Sequence, residues 1–296
     1  MGEALLVRKG GGGVKVTVDG EKISKPMDLK SKITNICASS VPYLLQKSSN
    51  QTMFVVFREE LHMLGGKYGA YSHYKWNENV WEKASTLPFL FNDGSAAVCK
   101  DEIHIFDRPA NSSKHYKWDG ETWTKAASLP IQNINAYNAA VACNDSIYWF
   151  TEKNVYKLNE DTWTIVKSGS GVLGSPTIYN GEICGIRAQK ICKWNDLTQD
   201  FVDIVSLSGD VEEASVMVVK NNEIYLSSGK SLEPIYKWAG NEFNKFCELP
   251  RMSSYAFFIT FNGEINLLGS GGLSTTEANV LKQTHWLVAT KVYKEI

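Results

Sequence analysis

Three observations predict an all-β fold of six four-stranded units set around a common axis. They are a period of about forty residues, a two-residue turn signal at one place in every period, and aromatic side chains at fixed offsets behind it. The period is marked by an acidic or polar residue followed by Ile or Leu, at Glu60-Leu61, Glu102-Ile103, Ser146-Ile147, Glu182-Ile183, Glu223-Ile224 and Glu264-Ile265. The markers stand 42, 44, 36, 41 and 41 residues apart, so the six units account for most of the 296 residues.

Before each marker stands a dipeptide suited to a two-residue hairpin turn: Arg58-Glu59, Lys100-Asp101, Asn144-Asp145, Asn180-Gly181, Asn221-Asn222 and Asn262-Gly263. Asn-Gly is the strongest such signal, because both turn positions require positive φ. Each turn joins an inner strand to a second strand. The inner strands are rich in small and β-branched residues, as in Ser95-Ala96-Ala97-Val98 and Ala139-Ala140-Val141-Ala142, which suits strands crowded toward an axis.

The third strand reads Tyr74-Lys75-Trp76, Tyr116-Lys117-Trp118, Tyr156-Lys157-Leu158, Cys192-Lys193-Trp194 and Tyr236-Lys237-Trp238. Residues one and three of a strand share a face, so the aromatic pair packs while Lys points away. Trp81, Trp123, Trp163, Phe201 and Phe243 follow on the fourth strand, making Trp76, Trp81, Trp118, Trp123, Trp163, Trp194 and Trp238 the expected inter-unit packing residues. Leu87-Pro88, Leu129-Pro130 and Leu249-Pro250 close three units, since Pro cannot donate to a strand ladder.

This order of turn, Glu-Ile strand, Tyr-x-Trp strand, following Trp and terminal Leu-Pro resembles the kelch repeat over about residues 41–296. The resemblance implies a six-bladed kelch-like β-propeller, one four-stranded blade per repeat. The family's diglycine after the second strand survives only as Gly65-Gly66 and, less cleanly, Gly271-Gly272. Two segments compete to close blade six. Thr284-His285-Trp286 aligns with Ser72-His73-Tyr74 and would make residues 292–294 the outer strand, whereas residues 32–36, followed by Ser40-Val41-Pro42, also mimic an outer strand. The N-terminal strand is the preferred closure.

Composition excludes several classes. With 43% hydrophobic residues and a formal charge of −1, the chain is neither disordered nor equipped with the basic footprint of a nucleic-acid binder. No apolar run approaches the 18 or so residues that span a bilayer, and the N-terminus has an acid where a signal peptide carries positive charge. The six cysteines lie far apart without a Cys-x-x-Cys pair, which fits a reducing cytoplasmic folding compartment. Sequons at Asn50, Asn111 and Asn144 are accordingly not expected to carry glycans.

Signals that look chemical have structural readings. Gly169-Ser170-Gly171-Val172-Leu173-Gly174 matches a dinucleotide fingerprint by letter, but Pro176 and a strand pattern follow instead of a helix. The glycine run at 10–13 is read as a flexible joint. His62 and His104 occupy one repeat position and His73, His115 and His285 another; neighbouring blades hold equivalent positions too far apart to share a metal, so no metal or cofactor is expected. The recurring Glu60, Glu102, Glu182, Glu223 and Glu264 read as a turn or strand-edge device. No nucleophile–base, zinc or paired-carboxylate motif stands in a supporting context, and the chain is read as a non-enzyme with no catalytic residue.

Binding is expected on the loops joining blades and joining second to third strands, which gather on one face of a propeller. Aromatic and Arg residues outside the repeat fall there: Tyr68, Tyr71, Phe89, Phe91, Arg108, Tyr137, Arg187 and Arg251. Residues 1–28, with a glycine run and Val14-Lys15-Val16-Thr17-Val18 turning at Asp19-Gly20, read as a β-hairpin extension and docking module; residues 29–296 form the propeller. The layout resembles kelch-containing proteins of phage and prophage tails from Gram-positive bacteria. That resemblance implies a virion or tail-particle component folded in the cytoplasm. Its partners would be other tail proteins, bound through the N-terminal segment, and a host surface glycan, without nucleic acid or membrane insertion. The alternatives are an intracellular kelch adaptor for a protein partner and a sugar-active enzyme of the mutarotase or oxidase kind.

Overall fold

The computed structural model describes residues 39–40, 52–65, 71–77, 80–91, 94–107, 114–130, 138–169, 172–211, 216–227, 234–248, 256–269 and 288–292. Five blades are each made of four consecutive antiparallel strands. Blade 1 contains β2 (Met53–Phe57), β3 (Glu60–Leu64), β4 (Ser72–Asn77) and β5 (Val80–Thr86). Blade 2 contains β6 (Ser95–Cys99), β7 (Glu102–Phe106), β8 (His115–Trp118) and β9 (Trp123–Lys125). Blade 3 runs through β10 (Asn138–Cys143), β11 (Ser146–Thr151), β12 (Asn154–Asn159) and β13 (Thr162–Ser168). Blade 4 runs through β14 (Gly174–Tyr179), β15 (Glu182–Arg187), β16 (Lys190–Asn195) and β17 (Asp200–Ser206), and blade 5 through β18 (Val216–Lys220), β19 (Glu223–Ser227), β20 (Pro234–Trp238) and β21 (Phe243–Glu248).

The chain is therefore an all-β propeller with four-stranded antiparallel blades. The expectation of six blades is corrected to five, each made of contiguous strands. A further four-stranded sheet has the order β1-β24-β23-β22, joining β22 (Ala256–Phe261) and β23 (Glu264–Gly269) to β24 (Val288–Val292) and to β1 (Ser39–Ser40) from the other chain end. Its inner strand β22 lies against β18 on one side and β2 on the other. The outermost strand of this sheet is Ser39–Ser40; residues 32–36, the expected closing strand, lie outside the described residues. The alignment of Thr284-His285-Trp286 as third strand is overturned, because Val292 opposes Ile265 and Thr290 opposes Leu267. A long connection shifts the pairing segment several residues downstream, and one repeat's spacing does not reveal that.

All six predicted turns have positive φ at both residues, from Arg58 (48°) and Glu59 (63°) to Asn262 (51°) and Gly263 (69°). That is the turn geometry whose twist matches paired strands. The fourth strand of blades 1, 3, 4 and 5 carries one register irregularity opposite the third strand, as between His73 and Tyr74. β14 begins at Gly174, so a strand follows the glycine-rich loop and the dinucleotide reading has no helix to use.

The core lies between blades. Phe57, Leu87, Phe89, Phe91, Ile103, Ile105 and Trp118 form one cluster between blades 1 and 2; Cys99, Phe106, Leu129, Ile147, Trp149 and Leu158 form another between blades 2 and 3. Phe91 explains Gly65, the first glycine of the one clean diglycine. At Gly65 (φ 64°) an added Cβ would stand 2.3 Å from the Phe91 carbonyl oxygen. Among the described residues no helix is long and apolar enough to cross a membrane.

Candidate functional site

The inner strands enclose an axial cavity of about 830 Å³, lined by residues such as Val56, Val98, Ala142, Ile178, Val219 and Thr260. Small and β-branched residues keep the strand backbones close, and among the described residues no ionisable side chain lines this space.

Of the eight loop candidates, the structure describes four. Tyr71 is 53% exposed, and its carbonyl accepts from the Leu87 amide (2.9 Å), fixing it at the loop face of blade 1. Arg187 is half-buried, its guanidinium carbon 4.7 Å from the Phe201 ring centre. Phe89 and Phe91 are corrections: both are buried and pack edge to face at 5.8 Å inside the blade 1–2 core. An aromatic pair in a loop can plug the wedge between blades, and neither its composition nor its spacing distinguishes that from an exposed patch. Tyr68, Arg108, Tyr137 and Arg251 lie outside the described residues, as do the sequence-predicted hairpin of residues 1–28, His285 and Gly271-Gly272.

The seven expected packing tryptophans line the blade interfaces in graded burial. Trp81, Trp118 and Trp194 are buried, and Trp76, Trp123, Trp163 and Trp238 are half-buried. Trp118 reaches back to blade 1, where its ring stands 5.4 Å from His62 and 4.5 Å from His73; Trp194 stands 6.4 Å from Tyr148 and 6.1 Å from Phe150 of blade 3.

The histidines form two buried pairs within blades. His62 Nδ1 lies 2.8 Å from His73 Nε2, and His104 Nδ1 lies 2.9 Å from His115 Nε2. His73 Nδ1 meets Ser85 Oγ (2.7 Å), which also accepts from Trp123 Nε1 of blade 2 (2.8 Å). In the next blade the carbonyl of Ala127 replaces that hydroxyl, accepting from His115 Nδ1 (2.9 Å) and from Trp163 Nε1 (3.3 Å). Burial pushes His62 and His115 down to about 4 and His73 and His104 down to about 3. The sequence held a signal for this pairing: the two rows of histidines fall eleven residues apart on adjacent strands.

The recurring glutamates are held by lysines of the third strand. Lys75 Nζ meets Glu60 (2.9 Å), Lys117 meets Glu102 (3.1 Å), Lys193 meets Glu182 (2.9 Å), and Lys237 pairs with Glu223. Blade 3 has Ser146 at the glutamate position, and its Lys157 instead crosses to Asp196 of blade 4 (2.8 Å). Burial pushes the Cys184 thiol up to about 11, the Cys192 thiol up to about 12 and the Tyr148 phenol up to about 12. These groups are therefore protonated at neutral pH. Among the described residues no group of three or more His, Cys, Asp or Glu side chains could hold a metal ion.

Comparison with known proteins returns the fold. No protein-family model matches the chain, and no curated protein matches it. Among solved structures, YjhT superposes with a TM-score of 0.63 at 11% identity, covering 86% of this chain and 96% of that one. A catalytically inactive virginiamycin B lyase from Staphylococcus aureus, solved with quinupristin, superposes with a TM-score of 0.54 at 14% identity, covering 76% of this chain and 79% of that one. At these identities the likeness concerns the propeller alone.

Proposed function

We propose that this protein is a non-enzymatic binding propeller of the kelch type, with the β22–β23–β24–β1 sheet acting as a sixth blade. In this reading it is a component of a phage tail or tail-like particle and presents its loop face to a host surface glycan or a neighbouring tail protein. One observation carries the non-enzymatic reading: the repeat's own acid–base side chains, four of its recurring glutamates and its two histidine pairs, are committed to the framework. The glutamates hold third-strand lysines. The histidines are paired and buried far below the range of a neutral-pH base. Tyr71 and Arg187 are the described binding candidates of the loop face; Tyr68, Arg108, Tyr137 and Arg251 complete the proposed set. Particle membership rests on the sequence layout, with residues 1–28 as the docking segment.

Sedimentation of an induced culture, followed by mass spectrometry of the particle fraction, tests the assignment. Peptides of this chain should co-sediment with tail proteins, and removal of residues 1–28 should abolish that. Recovery only among soluble cytoplasmic proteins would favour an adaptor role, and turnover of free sugars by the purified chain would favour an enzyme.

A further inference from the structure

A cavity of about 200 Å³ lies between blades 2 and 3, and its origin is visible in the repeat. At the blade 1–2 interface the same place is filled. Trp118 packs on Phe57 at 5.4 Å and on the His62–His73 pair. One interface further on, the register equivalents are smaller. Leu158 opposes Trp163 as Trp118 opposes Trp123, and Cys99 precedes its turn as Phe57 precedes Arg58. Two large-to-small replacements at one contact leave a recess lined by Leu158, Cys99 and the second histidine pair, His104 and His115. Its apolar lining is Cys99, Ala126, Ile147 and Leu158, and the rest is ionisable, so a fitting occupant joins a flat ring to a polar group.

The walls also select a charge. Because the Ala127 carbonyl can only accept, His115 donates through Nδ1 and takes the His104 Nδ1 proton at its Nε2. His104 Nε2 stands 3.8 Å from Glu102 Oε2. Asp145, Glu160 and Asp161, from two exposed turns of blade 3, line the mouth, so that with Glu102 four carboxylates face two ammonium groups, Lys100 and Lys117. Surplus negative charge favours a cationic occupant.

We propose that this cavity is a binding site for a small aromatic amine, the ring occupying the space that Trp118 and Phe57 fill between blades 1 and 2 and the ammonium lying among the carboxylates at the mouth. The site is separate from the loop face and stands or falls independently of the particle assignment.

Calorimetric titration of the full chain at pH 7.5 with tryptamine, indole and indole-3-acetate tests both halves. Tryptamine should bind more tightly than indole, and indole more tightly than indole-3-acetate. Leu158→Trp should weaken tryptamine at least about tenfold by filling the cavity while keeping a cooperative melt. Cys99→Phe, which fills it from the opposite wall, should do the same if the first variant fails to fold. Undiminished tryptamine binding by a folded filled variant, or no binding by the unmodified chain at millimolar concentration, would overturn the site. Equal affinity for tryptamine and indole-3-acetate would overturn the charge assignment.

Discussion

Trp123 Nε1, on the fourth strand of blade 2, donates at 2.8 Å to Ser85 Oγ, on the fourth strand of blade 1. Ser85 also meets His73 Nδ1, so one hydroxyl ties the fringe of one blade to the buried histidine pair of its neighbour. Ser85→Ala should cost about 1–3 kcal/mol in denaturant-measured stability, because it strands both partners. Trp123→Phe keeps a six-membered aromatic ring but loses the donor and the pyrrole half of the indole, at about 1–2 kcal/mol. Trp123→Ala should cost about 3 kcal/mol, the low end for a large aromatic, since Trp123 is half-buried. A near-neutral Trp123→Ala would contradict the packing of this ring against Trp118 and His73.

The buried histidines set an acid limit. Their folded pKa values lie below the ordinary 6.5, because burial disfavours the charged ring. The unfolded chain therefore binds more protons between about pH 3 and 6.5, and stability falls as pH drops through that window. Above pH 6.5 these rings are neutral in both states and contribute no slope. Urea midpoints should be flat from pH 7 to 8 and should show a loss of at least about 2 kcal/mol by pH 4.5. His62→Gln with His73→Gln should reduce that slope if the double variant folds, and an unchanged slope in a folded variant would point to other groups.

Blade 3 offers a direct test of the lysine ladder. Ser146→Glu should recapture Lys157 from Asp196, changing overall stability by no more than about 0.5 kcal/mol. Asp196→Ala should cost at most about 1 kcal/mol in the unmodified chain, as partly exposed pairs do. It should cost less in the Ser146→Glu background. A double-mutant cycle reads the coupling, and additivity would show that Lys157 does not choose between the two carboxylates.

Two backbone positions should respond in opposite directions. Ala188 (φ 48°) and Gln189 (φ 58°) hold the turn between β15 and β16 in a conformation that favours Asn-Gly. Replacing them by Asn and Gly should stabilise by up to about 1 kcal/mol. Gly65→Ala should destabilise by more than about 2 kcal/mol, because a Cβ there meets the Phe91 backbone and φ is positive. Thermal melts of the two variants should move apart in these directions.

Local rules were legible in the sequence. Two-residue turns are written in adjacent residues, and the alternation of Tyr, Lys and Trp fixes which strand face packs, so Asn180-Gly181 and Trp118 read correctly without long-range information. Each depends only on φ preferences or on a two-residue period. Tertiary packing decided what happens where blades meet. Phe89 and Phe91 enter the core because a wedge between two sheets must be filled, and a loop supplies the filling. His62 meets His73 because adjacent strands bring two repeat positions together. Ser39 meets Ala289 because closing a sheet calls on both chain ends. The same holds for the vacancy beside Leu158: the sequence shows a missing tryptophan, and only the packed neighbours, with Cys99 where Phe57 would stand, determine that the space stays open instead of collapsing.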